Sequence, residues 1–352
     1  MYPDGRSMAD DVDAFMATML MHSHPLALEQ VVRVVRDHYG LEAHAARLTG
    51  ERDENFRLHG AEGSEYVFKV AHPAEPGEVS ELTTAALLHL QREDPTLPCP
   101  RVVRALSGET CVRFRTAGGI TRTARLLTYL PGEPLVASSG SAARRAACGR
   151  LGARLTHALR SFTHPGAHRA VVWDVRHVGR LARLLQAVPG FPCTPAALAL
   201  LERIVPRIEA QFPSLRQQVV HNDLNPRNIL ATPAGELSGI IDFGDMAHTA
   251  IIADVAVTAA EHIPEDCTAG GGAAAQSVRD VADAYHESLP LAPAERALLG
   301  TLVAARLTAN LVVHEWHLHH NPAGEHYRPL AAEFMRERLA IGTELSLGAK
   351  RP

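Results

Sequence analysis

Apolar residues recur at helical spacing over Leu26–Tyr39, where Val31, Val32, Val34 and Val35 form a stripe and Gly40 supplies the stop. Alternation then takes over. Asn55–Leu58 and Tyr66–Val70 read as two strands of a hairpin joined through Gly60-Ala61-Glu62-Gly63. Glu78–Gln91 returns to helical spacing and stops at Pro95, Pro98 and Pro100, after which Arg101–Ala105, Thr110–Arg115 and Thr123–Tyr129 alternate as strands. The pattern predicts a small sheet with one main helix. Tyr129–Pro134 cannot extend the last strand, because Pro131 has no amide to donate, and it reads as a hinge. From Ser141 onward the spacing is helical: Ala142–Phe162, Val178–Ala187, Pro195–Phe212, Ile251–Glu261, Ser277–Leu289, Pro293–His320 and Tyr327–Leu345, with Gly270-Gly271-Gly272 a flexible loop between two helices. Residues 1–25 carry no pattern that continues into the rest and read as a helical or partly disordered extension. The predicted organisation is α+β: an extension at 1–25, a sheet-rich lobe at 26–128 and a larger, mostly helical lobe at 129–352.

One segment of the second lobe departs from the helical pattern. In Val219–Asp245, VVHNDLNPRNILATPAGELSGIIDFGD, two short apolar runs flank Pro233-Ala234-Gly235-Glu236, so the segment reads as a β-hairpin. Folding about Gly235 brings Asn228 opposite Asp242. Two hard oxygen ligands at the open end suit Mg²⁺, which takes few protein oxygens and keeps positions for phosphate and water. Asp223, on the tight loop entering the hairpin, faces the same point and is the candidate base. Taken singly, these residues are what polar turns are made of. The conjunction of His221, Asp223, Asn228 and Asp242 is what points to phosphoryl transfer.

Composition adds one clue. Of 35 basic residues only Lys69 and Lys350 are lysines, and Lys350 lies near the end of the chain. Lys69 sits in the strand-like run Glu65–Val70, on a face with Val67. A compact ammonium differs from the wide guanidinium fork used elsewhere, so a point charge against phosphate oxygens accounts for the exception.

Charge and cysteines set the frame. A net charge of −4 without a basic run offers no footprint for nucleic acid, and five scattered cysteines argue against disulfides and a zinc–cysteine site. No apolar run stands out as a membrane span, and acidic Asp10, Asp11 and Asp13 stand where a basic leader would be, so the expectation is a cytoplasmic enzyme. His314, Glu315, Trp316, His317, His319 and His320 lack the spacing of an H-E-x-x-H zinc motif and read as a polar helix end; Trp173 reads as a packing residue.

Several segments together resemble one family: Glu51–Phe56 (ERDENF), Tyr66–Lys69, Arg125–Gly132 (RLLTYLPG), Val172-Trp173-Asp174, HNDLNPRN and IDFGD. They are similar to the aminoglycoside phosphotransferase and choline kinase-like enzymes, relatives of protein kinases, within which the hydroxylysine kinase branch is nearest. The resemblance spans about Pro25 to Glu344. It implies a bilobal protein kinase-like fold and a small-molecule kinase using ATP or GTP with Mg²⁺. In that scheme Asp223 accepts or orients the acceptor hydroxyl, His221 braces the loop, Asn228 and Asp242 hold the metal, and Lys69 contacts the phosphates. Asp53, Asn55 and Phe56 belong to a phosphate-covering loop, the Thr128 carbonyl and Leu130 amide meet the purine edge, and Glu81 is the helix acid for Lys69, the aligned position being near Thr83. Asn222 stands where most of the wider family has glycine. For an acceptor such as 5-hydroxylysine, the resemblance implies Asp174, Asp245 and Glu261 as amine partners and Arg306 as a carboxylate partner. The residues leave open an aminoglycoside or cationic peptide antibiotic as acceptor. Two other classes also stay open: a kinase-like nucleotide-binding module without activity, and a metal-dependent hydrolase. They carry no expectation about oligomeric state.

Overall fold

Period-two burial organises the first half of the described chain, which in this computed structural model comprises residues 25–50, 53–135, 140–188, 190–322 and 328–348. The expected extension, apart from Pro25, lies outside these residues, as do Glu51, Arg52, Tyr327 and Lys350. After helix α1 (Leu28–Tyr39) come β1 (Ala43–Leu48), β2 (Glu54–Gly60) and β3 (Glu65–Val70). Helix α2 (Gly77–Glu93) precedes β4 (Val102–Val103), β5 (Val112–Arg115) and β6 (Thr121–Thr128). The sheet is antiparallel in the order β1-β2-β3-β6-β4, with β5 also on β6. Phe56, Leu58, Phe68, Val70 and Leu126 point to one face and pack with Val31 and Val35 of α1. Asn55, Lys69 and Arg125 lie side by side in register and therefore share the other face. Strand β1 was not expected: Ala43–Leu48, AHAARL, has small and charged residues in place of β-branched ones, and it exists by pairing with β2.

β6 stops at Thr128, and only the two-residue strand β7 (Glu133–Pro134) follows before the helices. β7 runs along the edge of β9 (Ile229–Ala231), where Pro134 needs no donor on its outer side. The helical lobe comprises α3 (Ala142–Ala158), α4 (Leu181–Gln186), α5 (Thr194–Gln211), α6 (Ile251–Glu261), α7 (Ala273–Ser288), α8 (Pro293–His320) and α9 (Ala332–Leu347). The expected helix Val178–Ala187 is divided, its first turn belonging to a 3-10 segment, Val175–Arg180. The triglycine segment is tied down: Ala269 N–H donates to Glu337 and Gly270 N–H to Glu344 at 2.6 Å, both acids of α9.

Helix α8 is the axis of this lobe. At ~1.5 Å per residue, it is long and apolar enough to cross a membrane by length and composition, contrary to the sequence expectation, but most of its apolar stretch is buried inside the fold. Ala304, Ala305 and Leu302 are fully buried, and α5, α6 and α9 pack around it. A separate core joins α2 to the helical lobe through Leu82, Leu87, Leu155, Leu159, Ile229 and Phe243. That core sets the sheet's polar face over the hairpin.

Helices α3 and α7 meet where Gly149 faces backbone: a Cβ there would lie 2.2 Å from the Val281 carbonyl oxygen. Gly149→Ala is expected to force the helices apart and lower unfolding free energy by about 1–3 kcal/mol in urea titration; an unchanged midpoint would show that the contact is slack.

Candidate active site

Two ladders shape the loop that carries the candidate base. The hairpin itself is β9 with β10 (Leu237–Ile240), and it contains an irregularity between Leu237 and Gly239. The turn closes around Ala234, not Gly235, pairing Leu237 with Ala231, a register that would set Ile240 opposite Asn228; the irregularity recovers one residue, so that Ile241, not Asp242, lies opposite Asn228, with Ile241 N–H donating to the Asn228 carbonyl at 2.9 Å. Asp242 falls just beyond the ladder and adopts the left-handed conformation, φ 60°. The second ladder was not expected. β8 (Gln217–Val220) pairs antiparallel with β11 (Ala247–Ala250), Val220 facing Ala247, and it clamps the start of HNDLNPRN against the end of IDFGDM.

Inside this clamp a set of side chains braces the loop backbone. His221 is fully buried; its Nδ1 accepts the Asp223 N–H at 3.3 Å, which leaves Nε2 to donate to the Ile241 carbonyl at 3.1 Å. Burial, opposed by Asp254, lowers its pKa and keeps the ring neutral. Asn222 is left-handed, φ 67°, which explains why glycine suits this position and why asparagine is tolerated there. Its N–H donates to Asp254 Oδ1 at 2.7 Å and its Nδ2 to the Asp245 carbonyl at 3.2 Å. Asp254 was missed in the sequence, although an acid inside Ile251–Ala260, otherwise apolar but for Thr258, is a usable signal.

Asp223 is held on both oxygens. Asn225 Nδ2 at 2.9 Å and Asn228 Nδ2 at 2.8 Å donate to Oδ2, and Arg306 Nη2 donates to Oδ1 at 2.6 Å. Burial raises its pKa, against the pull of Arg306 and with the help of Asp245 and Glu261. Across the cleft, Lys69 Nζ pairs with Asp242 Oδ1 at 2.8 Å and Asp53 Oδ2 at 3.6 Å. Burial works against the Lys69 charge, but the two carboxylates outweigh it and raise its pKa. Lys69 in turn holds Asp242 down to about 2. The Asp242 side chain is 52% exposed, so solvent screens the pair and little stability follows from it.

Other expected site residues fall elsewhere. Glu81 is exposed on α2 and is not among the ion-pair partners of Lys69 in the described residues; Asp53 of the β1–β2 connection takes that place. The aligned Thr83 instead donates to the Phe243 carbonyl at 3.3 Å, linking α2 to the Asp-Phe-Gly turn. Phe56 is fully buried on the α1 side, because strand β2 begins at Glu54 and alternation sends position 56 inward and Asn55 toward Lys69. Asp174 is buried and caps the 3-10 segment after it, its Oδ1 accepting Arg176 N–H at 2.9 Å and the Thr249 hydroxyl at 3.2 Å, while Oδ2 is buried 3.4 Å from Arg176 Nη2. Arg306, expected at a substrate carboxylate, holds Asp223 and, through Nε at 2.8 Å, Glu261. Trp173 packs under the Arg306 guanidinium, 4.9 Å from ring centroid to Cζ. Asp245 and Glu261 stay partly exposed near Asp223. At the hinge, Tyr129 N–H donates to the Glu65 carbonyl at 3.1 Å and Thr128 N–H to the Arg101 carbonyl at 2.9 Å, so successive residues face opposite edges; Leu130 lies just past the end of β6.

The donor set fits a hard divalent cation. Asn228 uses its amide nitrogen on Asp223, which leaves Oδ1 as an acceptor, and Asp242 keeps its second carboxylate oxygen. Among the described residues no group of three or more His, Cys, Asp or Glu gathers, as a full protein cage would require.

An antiparallel sheet with one main helix, set over a helical lobe whose Asp–Asn loop and Asp-Phe-Gly turn meet a strand lysine, defines a kinase-fold phosphotransferase. The chain belongs to the phosphotransferase enzyme family, whose model matches residues 44–291. It is a small-molecule kinase by its relatives as well: it is 28% identical over 319 residues to hydroxylysine kinase of Danio rerio, covering 86% of this chain and 87% of the fish protein. Among solved structures it resembles amicoumacin kinase hAmiN in complex with AMP-PNP, Ca²⁺ and Ami, with TM-score 0.66 and 15% identity, covering 91% and 93% of the two chains. A microcompartment-associated aminopropanol kinase superposes with TM-score 0.62 at 18% identity, covering 90% and 95%.

The left-handed backbone at position 222 makes a ranking testable. Asn222→Gly keeps the conformation and loses the amide bond to Asp245, whereas Asn222→Ala adds about 1–2 kcal/mol of backbone strain. Thermal unfolding is expected to rank wild type above Gly above Ala; an alanine variant as stable as the glycine one would remove strain from the account.

Proposed function

We propose that this kinase transfers the γ-phosphoryl group of ATP or GTP to the hydroxyl of a small amino-acid-like acceptor such as 5-hydroxylysine. One observation carries the reading: Lys69 of β3 and Asp242 of the Asp-Phe-Gly turn meet at 2.8 Å beside the loop on which Asn228 holds Asp223 at 2.8 Å. In this reading Thr128 and Leu130 present backbone groups to the purine. Lys69 exchanges Asp242 for phosphate oxygens, while Asp53 at 3.6 Å keeps its ammonium in place. Asn228 and Asp242 would hold Mg²⁺, which when bound supplies positive charge to the phosphate oxygens. Asp223 orients the acceptor hydroxyl for in-line attack and receives its proton.

The acceptor class follows from charge. Asp223, Asp245 and Glu261 together place three carboxylates around the single cation Arg306, a negative balance that favours a cationic amine on the acceptor, with Asp245, partly exposed, as its partner. The hydroxylysine kinase relatives support an acceptor that is itself a hydroxylated amino acid.

A coupled kinase screen of 5-hydroxylysine, homoserine, choline, ethanolamine and aminoglycosides, each with ATP and GTP, is expected to single out 5-hydroxylysine. Preference for an aminoglycoside would replace the acceptor and keep the reaction, and transfer to none of them would overturn the reading. Asp223→Asn should lower kcat by about 10²–10⁴ while nucleotide affinity stays within about threefold. Because burial raises the Asp223 pKa, the rate should climb with pH above the ordinary carboxylate range. A profile already flat above pH ~5 would show that this proton does not matter.

A further inference from the structure

The hydrogen bonds on Asp223 leave one acceptor position open, and its neighbour is Arg306. A carboxylate offers about four acceptor positions. Asn225 and Asn228 fill both on Oδ2, Arg306 fills one on Oδ1, and the remaining one is on Oδ1. The two asparagines belong to the same loop as Asp223 and grip a single oxygen, about which the carboxylate could pivot. Arg306 reaches in from α8, 83 residues away in sequence, and grips the other.

Arg306 is itself immobilised. Its side chain is 4% exposed, with Nε on Glu261 Oε1 at 2.8 Å and the guanidinium over Trp173. Asn310, one turn further along α8, donates to the same Glu261 oxygen at 2.8 Å. Arginine offers separate nitrogens at fixed angles, so Nε serves Glu261 at 2.8 Å while Nη2 serves Asp223 at 2.6 Å; a lysine has one nitrogen, and at Lys69 the second carboxylate stands off at 3.6 Å. A role in packing alone would not require that an arginine end on the candidate base.

We propose that Arg306 is a positioning residue for phosphoryl transfer: anchored by Glu261, Asn310 and Trp173, it fixes the plane of the Asp223 carboxylate so that the open position on Oδ1 meets the acceptor hydroxyl. The proposal rests on Asp223 as the base. It also assigns Glu261 an indirect role, as the holder of Arg306.

Arg306→Lys keeps the charge and loses the fork. With the acceptor identified by the kinase screen, it is expected to lower kcat about 10- to 100-fold with KM for ATP within about twofold, and Glu261→Gln to lower kcat less. In an Asp223→Asn background Arg306→Lys should cost nothing further, because the group it positions is gone. A crystal structure of Arg306→Gln should show the Asp223 carboxylate rotated about its contacts with Asn225 and Asn228. Turnover of Arg306→Lys within twofold of wild type, a loss that adds fully to that of Asp223→Asn, or an unmoved Asp223 in the variant structure would each overturn the proposal. Failure of the underlying reading looks different: Asp223→Asn then turns over like wild type, or wild type transfers phosphate to no acceptor.

Discussion

The hydrogen bond from Asn222 N–H to the buried carboxylate of Asp254 governs the shape of the site. The chain leaves β8 and must turn sharply to present Asp223 and Asn228 toward the sheet. At the sharpest point the backbone is left-handed and the N–H of Asn222 has no ladder partner. A buried orphan donor would cost about 1–3 kcal/mol. Asp254, at 2.7 Å on the first turn of α6, supplies the acceptor, and the β8–β11 ladder places that turn where it can. His221 completes the support by bonding both Asp223 N–H and the Ile241 carbonyl, so the loop and the Asp-Phe-Gly turn move as one unit.

Charge follows a repeated scheme around that unit. Each of the two cations is shared between two carboxylates, Lys69 between Asp242 and Asp53 and Arg306 between Asp223 and Glu261. In each pair one carboxylate has a proposed role in the reaction and the other holds the cation. This avoids leaving a single buried charge uncompensated, which is far more costly than an intact pair. It also means that Lys69 keeps a partner when Asp242 turns to the metal in the proposed mechanism. Among the described residues the second partner of Lys69 is Asp53 and not an acid of α2, and α2 is tied to the Asp-Phe-Gly turn by the Thr83 hydroxyl.

Much of this was legible in the amino-acid order. The bipartite α+β organisation, the hairpin across Pro233–Glu236 and the main helices could be read because each rests on local periodicity and turn chemistry. The shortfalls have physical causes. Strand β1 has weak intrinsic preference and owes its existence to β2, and β8–β11 joins segments some thirty residues apart that show no alternation strong enough to read. The hairpin closes around Ala234, one residue before Gly235, and the irregularity between Leu237 and Gly239 recovers only part of the offset, so Asp242 lies off the ladder, a register effect that no turn signal reports. Phe56 and Asp174 were placed by motif likeness, whereas burial on the α1 side and a helix-capping geometry decided their surroundings.

By itself, the sequence determined which chemistry was available: one strand lysine among arginines, an Asp–Asn loop and an Asp-Phe-Gly turn, because residue type sets charge, ligand hardness and basicity wherever the residue ends up. Only the tertiary structure decided who faces whom. Lys69 meets Asp242 across 173 residues and Arg306 meets Asp223 across 83, and such pairings depend on how two packed cores set the sheet over the loop. Local preference extends over a few residues, while a buried charge finds its partner through the fold as a whole.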